Sequence, residues 1–413
     1  MSNKNNKKVF VGMSGGVDSS VAAALLKKDG YEVIGVHLKC WSQSSSDAHG
    51  VGVPCSAEAD AEDARRAAEV LGIPFYVFDF EKEYKEKVVE YMVDGYRNGI
   101  TPNPDVMCNK EIKFGLFLKK ALEMGADYVA TGHYVRLVAG DSRSTCVSCG
   151  NYGTLKCLAF CGAKNFRVRR RSRLPQERAD SGAVRNTGGA AKALFIAKDK
   201  NKDQSYFLWT LTQEQLRHCL FPIGEYIKPE VRKLAKKFGL SNAEKKDSQG
   251  ICFLGQVTLK DFLGNYLPKK RGLVLNTAGK VVGEHSGAHF YTIGQRSGLG
   301  VGGNAKPVYI AEKDVEENAI LVAEEGDPVL YQKEVELKNV NLMSSELRIK
   351  NHELRIPVRA RVRYRQSLFP ALFIIHNSSF KLVFDKPQKF VASGQSAVFY
   401  DDKGLMLGGG VIV

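Results

Sequence analysis

The sequence lacks a long hydrophobic run. None of its apolar stretches reaches the roughly 18 residues that a transmembrane helix needs. The opening segment Met1–Lys8 is polar and leads directly into a short apolar stretch, whereas a secretory signal peptide would place a longer apolar segment there. We therefore expect a cytoplasmic protein that has no membrane partner.

The cysteines also lack the pattern of a disulfide-rich protein. There are nine of them, an odd number, scattered over 413 residues, whereas disulfide frameworks belong mainly to short secreted chains. This distribution indicates a reducing compartment in which thiols serve chemistry or metal binding. Cys40 and Cys55 are interpreted as structural residues.

Acidic residues are too few to balance the basic ones. The net charge is +15 and the isoelectric point is near 9.3. Ala139–Ala193 contains 11 Lys and Arg against 3 Asp and Glu, and Pro328–Val413 contains 13 against 7. Such an excess favours a polyanionic partner, although a basic solvated surface would produce the same totals.

The length and the order of apolar segments predict several domains. At roughly 150 residues per domain, two or three are expected. Short apolar strands alternate with helical segments as far as Thr131, which predicts a parallel α/β sheet. From Asp261 onward, short Val/Ile/Tyr-rich runs and Gly turns predict β structure. We expect a catalytic α/β domain in residues 1–255 and two small β-rich domains in 256–327 and 328–413, the last a β-barrel.

Ala139–Ala193 interrupts this pattern. It contains the basic run Arg167–Arg173 and shows no periodic apolar face, so we expect an insertion without its own packed core. Its cysteine spacing is also compatible with a zinc site. The four candidate ligands are Cys146, Cys149, Cys157 and Cys161.

A Gly-rich turn follows the first predicted strand. It consists of Gly12, Met13, Ser14, Gly15, Gly16, Val17, Asp18 and Ser19, and we call it the phosphate loop. Its glycines allow the backbone to approach a ligand closely, while the N–H groups and dipole of the following helix favour an anion. It lacks the Gly-Lys-Ser/Thr ending of a Walker loop. Asp18 is suited to hold a metal or to orient a phosphate.

Two further cysteines lie in polar turns. Thr101–Lys110 contains two prolines and Cys108, and predicts a rigid non-helical loop with a helix beginning near Asn109. The helix N-terminus and nearby lysines would then lower the pKa of Cys108. Cys252 lies in a second turn, Lys246–Phe253. Two cysteines in such turns favour reactive thiols over buried structural ones.

Several motifs occur in a fixed order along the chain. They are Gly12–Ser20, Thr101–Phe114, Ala130–Tyr134, Asn201–Phe207, Gly250–Phe253, Gly294–Gly300, Arg363–Gln366 and Gly394–Tyr400. Over nearly the whole chain except Ala139–Ala193, the sequence resembles the bacterial tRNA-specific 2-thiouridylases. The catalytic domain of that family is a Rossmann-like adenine-nucleotide alpha-hydrolase with a pyrophosphatase loop.

The resemblance implies a reaction and its partners. ATP would adenylate the C2 oxygen of the wobble uridine in tRNA, and sulfur would then replace that oxygen. Mg²⁺ would bridge the phosphates. The sulfur would come from a sulfur-carrier protein or a cysteine desulfurase.

The resemblance also implies roles for individual residues. Cys252 would carry a persulfide, Cys108 would release the sulfur or close a disulfide with Cys252, and Asp105 would orient or deprotonate the base. The phosphate loop, Leu38 and Gly132 would bind the nucleotide. The tRNA would contact Asn103, Pro104, Asp105, His133, Lys202, Asp203, Gln204, Arg363, Tyr364 and Gln395.

Four alternating arginines add a candidate RNA surface. Arg359, Arg361, Arg363 and Arg365 would share one face of a predicted strand and favour phosphate binding, with a solvated face as the alternative.

Two other functions stay open. A small-molecule adenylating enzyme should lack the two cysteines and the basic C-terminal half. A catalytically inactive tRNA-binding protein would not need the phosphate loop, Asp105, Cys108 and Cys252.

Overall fold

The computed structural model describes residues 6–41, 56–139, 191–246, 257–301, 306–343 and 354–413. Within these ranges it contains a five-stranded sheet, a four-stranded sheet, a closed six-stranded barrel and a two-stranded ribbon. No helix in the described part of the chain is long and apolar enough to cross a membrane. The insertion predicted at 139–193 and its four cysteines lie almost wholly outside these residues.

The N-terminal sheet is entirely parallel. Its strands are β1 (Lys8–Gly12), β2 (Glu32–Lys39), β3 (Phe75–Asp79), β4 (Tyr128–Thr131) and β7 (Cys219–Leu220). Between β4 and β7 in the sequence, β5 (Arg136–Ala139) and β6 (Lys192–Phe195) form the separate two-stranded ribbon. The strand order in the parallel sheet is β3-β2-β1-β4-β7. The carboxyl ends of β1, β2 and β4 therefore meet at one edge, where a ligand site is expected.

Helices cover both faces of this sheet. They are α1 (Val17–Lys28), α2 (Ser56–Leu71), α3 (Glu81–Tyr84), α4 (Glu90–Arg97), α5 (Pro104–Met107), α6 (Leu118–Glu123), α7 (Gln213–Arg217) and α8 (Lys228–Lys237), with α9 (Leu259–Leu263) leading into the next domain. The π-helical segments Lys85–Val89 and Cys108–Phe117 make α3–α4 and α5–α6 continuous.

The core forms two layers because successive residues of a strand point to opposite faces. Phe10 lies in the layer that contains Phe117 of the α5–α6 helix. Val9 lies in the layer that contains Ala22 of α1 and Val231 of α8. All five residues are at most 1% exposed, and burial of each large apolar side chain contributes roughly 1.5–3 kcal/mol.

The described residues from Gly272 onward form mainly β-strands. The four-stranded sheet has the order β10-β11-β8-β9, with strands β8 (Gly272–Asn276), β9 (Val281–His285), β10 (Val308–Asp314) and β11 (Ala319–Glu324). The barrel strands are β12 (Tyr331–Leu342), β13 (Leu354–Arg361), β14 (Phe369–His376), β15 (Ser379–Lys389), β16 (Ser396–Tyr400) and β17 (Met406–Ile412). They close in the order β12-β15-β14-β13-β16-β17. The predicted fold class is confirmed, whereas the boundaries at 255/256 and 327/328 stay predictions.

The barrel packs directly on the catalytic domain. Its outward-facing Val398, Tyr400 and Met406 belong to the same buried cluster as Phe10 and Tyr206. The hydroxyl of Tyr206 donates to the carbonyl of Ser396 at 2.8 Å. The two domains therefore share a core.

Candidate active site

The phosphate loop lies where the sequence predicts it, between the end of β1 and the start of α1. The N–H of Ser14 donates to Oγ of Ser19 at 3.2 Å, and the Ser19 hydroxyl donates to the carbonyl of Gly16 at 3.2 Å. Gly16 is the N-cap and provides no side-chain cap. The loop is thus closed by its own serines, and the uncapped N-terminal end of α1 is suited to bind an anion.

The base of the phosphate loop is fixed by β2. The N–H of Met13 donates to the carbonyl of Val36 at 2.7 Å, and Nδ1 of His37 lies 3.0 Å from the carbonyl of Met13. Burial lowers the pKa of His37. Leu38 follows on β2 and is half-buried at the same sheet edge, a position compatible with its predicted nucleotide contact.

Asp18 is held by two residues that are remote in sequence. Nζ of Lys228 lies 2.8 Å from both carboxylate oxygens, and the hydroxyl of Tyr134 donates to Oδ1 at 2.7 Å. Lys228 is the first residue of α8 and is 9% exposed. A cation at a helix N-terminus is unfavourable because it opposes the helix dipole. A lysine predicted at such a position is therefore the one sequence feature that indicates an acidic partner for Lys228.

Gly132 brings the end of β4 against the phosphate loop. A Cβ at Gly132 would lie 2.6 Å from the backbone nitrogen of Ser19, so only glycine permits this approach. This contact supports the predicted place of Gly132 at the nucleotide.

His133 is enclosed beside Gly132. Its Nδ1 lies 2.8 Å from Oγ1 of Thr131, and its ring lies 6.0 Å from Phe114 and 6.3 Å from Phe221. Burial, together with the charge of Lys113, holds the pKa of His133 well below its ordinary value. The imidazole is therefore neutral, and at 7% exposure it is enclosed rather than presented at the surface.

The predicted non-helical loop at Thr101–Lys110 is wrong. A helix begins at Pro104, and Oδ1 of Asn103 accepts a hydrogen bond from the N–H of Val106 at 3.2 Å. Asn is a favoured N-cap and Pro a favoured first helical residue, so the Asn-Pro pair starts the helix early.

Cys108 consequently lies one turn inside the helix. It is 4% exposed, and the helix dipole acts mainly within the first turn, so the expected effect of a helix N-terminus on the Cys108 thiol does not apply. Asp105 is the second residue of α5 and is half-buried. Phe114, in the same continuous helix, contacts His133, so this helix meets the sheet edge next to Gly132.

Cys252 lies outside the described residues, but the segment leading to it is anchored at the phosphate loop. Nδ2 of Asn242 donates to the carbonyl of Gly15 at 3.0 Å and to Oγ of Ser20 at 2.9 Å. Nζ of Lys245 lies 2.7 Å from Asp60. Sequence patterns do not predict these contacts, because the partners are separated by about half the chain.

The predicted RNA contacts at Lys202–Gln204 lie at the interface of the catalytic domain and the barrel. Asp203 is 4% exposed, and its Oδ2 accepts a hydrogen bond from Arg361 at 2.6 Å. Oε1 of Gln204 accepts a hydrogen bond from the N–H of Tyr134 at 3.0 Å, and Lys202 is half-buried. Asp203 and Gln204 therefore make structural contacts.

The prediction of four arginines on one strand face is wrong. β13 ends at Arg361, which is 5% exposed because the catalytic domain covers it. Arg359 remains exposed, and Arg365, at φ +64°, lies in a turn beyond the strand. The period of two requires an extended strand, and that condition fails after Arg361.

The remaining predicted RNA contacts are also engaged within the protein. Arg363 donates from Nε to the carbonyl of Phe390 at 2.9 Å, and burial lowers its pKa. The ring of Tyr364 lies 4.4 Å from that of Phe207. Nε2 of Gln395 donates to two carbonyls of the catalytic domain.

Three family descriptions match successive parts of the chain. Residues 7–153 and 181–256 match the tRNA methyl transferase HUP domain, 260–324 the tRNA methyl transferase PRC-barrel domain, and 332–412 the Aminomethyltransferase beta-barrel domain. The break in the first match falls inside the predicted insertion.

Similar proteins extend over the whole length. The chain is 42% identical to tRNA-specific 2-thiouridylase MnmA 1 of Geobacillus kaustophilus (strain HTA426), covering 98% of this chain and 95% of that protein. It is 43% identical to tRNA-specific 2-thiouridylase MnmA of Bacillus cytotoxicus, covering 95% and 91%, and 41% identical to the protein of that name from Streptococcus agalactiae serotype III (strain NEM316), covering 100% and 96%. With the phosphate loop and Cys108 in place, these full-length matches show that the chain belongs to the tRNA-specific 2-thiouridylase family.

Proposed function

We propose that this protein is an ATP-dependent sulfurtransferase that converts the wobble uridine of tRNA into 2-thiouridine in the cytoplasm. The observation that carries the proposal is the contact series at the sheet edge. Gly132 touches the phosphate loop, and its neighbour His133 touches the helix that carries Asp105 and Cys108. These contacts support a site at which nucleotide binding and base chemistry occur side by side.

The first step is activation of the base. The phosphates of ATP bind at the phosphate loop, and the C2 oxygen of uridine attacks the α-phosphorus, so that pyrophosphate leaves and the oxygen becomes part of an adenylate. Asp105 orients the base or accepts its proton. An anticodon base must be unstacked to reach this site.

The second step transfers sulfur. The terminal sulfur of a persulfide on Cys252 attacks C2, and AMP leaves with the original oxygen. The thiolate of Cys108 then attacks Sγ of Cys252, which closes a disulfide and releases the thiocarbonyl group on the base. A sulfur-carrier protein or cysteine desulfurase reloads Cys252 after an external thiol has reduced the disulfide.

A Mg²⁺ ion fits this site only as a partner of the substrate. The described residues contain no group of three His, Cys, Asp or Glu that could hold a metal, and Mg²⁺ is commonly held by one or two carboxylates plus phosphates. Asp18 would supply the carboxylate by exchanging its ion-pair partner Lys228, which lies 2.8 Å from both of its oxygens, for the ion. The ion would neutralise phosphate charge. The zinc site at Cys146, Cys149, Cys157 and Cys161 stays a prediction outside the described residues.

Cys252→Ser tests the order of the two steps. The purified variant should form AMP and pyrophosphate when tRNA is present but yield no 2-thiouridine, measured by mass spectrometry of digested tRNA. Cys219→Ser is the matched control, because burial raises the pKa of Cys219 to about 12 and the thiol is inert. Thiolation by Cys252→Ser would refute the persulfide role, and AMP formation that needs no tRNA would favour the small-molecule alternative.

A further inference from the structure

The barrel contacts the segment before α5 through three consecutive residues. The carbonyl of Ser393 accepts a hydrogen bond from the N–H of Thr101 at 2.8 Å. Nε2 of Gln395 donates to the carbonyls of Thr101 and Pro102 at 3.0 and 3.1 Å. At Gly394, which has φ +87°, a Cβ would lie 2.9 Å from the oxygen of Thr101. The two segments are therefore in direct backbone contact.

The barrel side of this contact is firmly attached. The N–H of Gly394 donates to the carbonyl of Ile412 at 2.9 Å, and the N–H of Ile412 donates to the carbonyl of Gln395 at 2.8 Å. Ile412 is the last residue of β17. The position of Gln395 is thus set by the barrel wall.

The catalytic side leads directly to the proposed reacting residues. Pro102 is wedged against Gly95 of α4, where a Cβ would lie 2.8 Å from the proline ring. Asn103 follows Pro102 and caps α5, which carries Asp105 and is continued by Cys108. The position of Pro102 therefore constrains the start of this helix.

We propose that Gln395 is a positioning residue that fixes Asp105 and Cys108 for the reaction, an inference that rests on the proposed function. A glutamine amide offers two N–H donors, one for each carbonyl, whereas the isosteric glutamate offers only acceptors when it is ionised. Gln395 accordingly links the barrel to the segment before α5 and does not itself touch the reacting atoms.

Gln395→Glu is the test, with Gln332→Glu as its matched control because Gln332 lies exposed on β12. Alkylation of the cysteines by iodoacetamide is followed by peptide mass spectrometry in a phosphine-reduced sample. Loss of the two hydrogen bonds should speed labelling of Cys108 about tenfold, while labelling of buried Cys219 stays unchanged. AMP formation at saturating tRNA should fall roughly tenfold to a hundredfold, with tRNA affinity retained.

If Cys108 of Gln395→Glu is labelled at the wild-type rate, the proposal is overturned. If tRNA binding is also weakened in that variant, Gln395 is an RNA contact instead. Equal acceleration at Cys108 and Cys219 in both Gln395→Glu and Gln395→Ala would reduce its role to general stability. The alanine variant removes the donors without adding charge, so it carries the test if the glutamate variant fails to fold. If wild-type protein forms no 2-thiouridine, the proposed function fails, but the labelling comparison still shows whether Gln395 fixes this helix.

Discussion

The substitution Asp203→Asn should strongly destabilise the protein, because it leaves a buried arginine without its counter-charge. The Asp203 and Arg361 side chains are 3% and 5% exposed and lie 2.6 Å apart. Arg361 also donates to the hydroxyls of Ser205 and Tyr400 at 3.0 and 2.7 Å. Burial alone would lower the pKa of Arg361, but the charge interactions with Tyr400 and Asp203 raise it overall. Arginine is effectively always protonated at neutral pH, so Arg361 stays charged when Asp203 is neutralised.

Removing one partner of a buried ion pair costs about 3–5 kcal/mol. At roughly 2–4 °C per kcal/mol for a large domain, the unfolding midpoint of Asp203→Asn should fall by about 6–20 °C, measured by scanning calorimetry without ATP or tRNA. The double variant Asp203→Asn with Arg361→Gln should recover part of this loss, because no buried charge remains unpaired.

Asp402→Asn is the matched control. Asp402 lies 3.0 Å from Arg359 on the same strand as Arg361, but its side chain and that of Arg359 are 76% and 45% exposed. Exposed pairs contribute about 0–1 kcal/mol, so the midpoint should move by at most a few degrees. Equally small shifts of the unfolding midpoint in Asp203→Asn and Asp402→Asn would refute the argument that the Asp203–Arg361 ion pair is shielded from water at the domain interface.

Three further variants probe the sheet edge. Gly132→Ala should push its new methyl group against Ser19, which destabilises this sheet edge by about 1–3 kcal/mol and weakens ATP binding measured by calorimetric titration; unchanged affinity would contradict the close approach. Asp18→Asn should slow AMP formation because Lys228 loses its counter-charge, while tRNA affinity holds; the reverse pattern would disprove the phosphate-loop assignment. Burial depresses the pKa of folded His133, so the unfolded chain binds the extra proton first. The contribution of His133 to the free energy of unfolding should be constant above about pH 6.5 and fall below it; a His133→Gln protein whose unfolding midpoint falls just as steeply below pH 6.5 would contradict this.

The fold can be predicted from the sequence because it follows from patterns within short segments. Alternating apolar and helical segments specify a parallel sheet, and period-two runs such as Ile356, Val358 and Ala360 specify barrel strands with one buried face. The wrong prediction at α5 also has a local cause, because two prolines in a short segment favour a non-helical loop. The pair Asn103-Pro104 instead supplies an N-cap and a first helical residue.

The sequence predicts only part of the site, because many of its contacts join residues that are far apart in the chain. The phosphate loop is one continuous segment, and its turn, serines and helix start follow from neighbouring positions. Lys228 reaches Asp18 from 210 residues away, and Asn242 reaches Gly15 from 227. The spacing of apolar and polar residues along the sequence does not indicate which distant side chains form such pairs. Only a misplaced charge, such as a lysine at a helix N-terminus, indicates that an acidic partner exists.

Adjacent residues of one motif can serve different domains, and the Asp203–Gln204 pair shows how. Asp203 pairs with Arg361 of the barrel, while Gln204 accepts a hydrogen bond from the backbone of Tyr134, whose hydroxyl donates to Asp18 in the phosphate loop. A continuous line of contacts therefore joins the barrel to the nucleotide site. The basic composition favours RNA contacts for this motif, but two of its polar groups are already satisfied inside the protein. The Asp203–Gln204 pair requires an acid followed directly by an amide, because the acid binds Arg361 of the barrel and the amide binds Tyr134 of the catalytic domain.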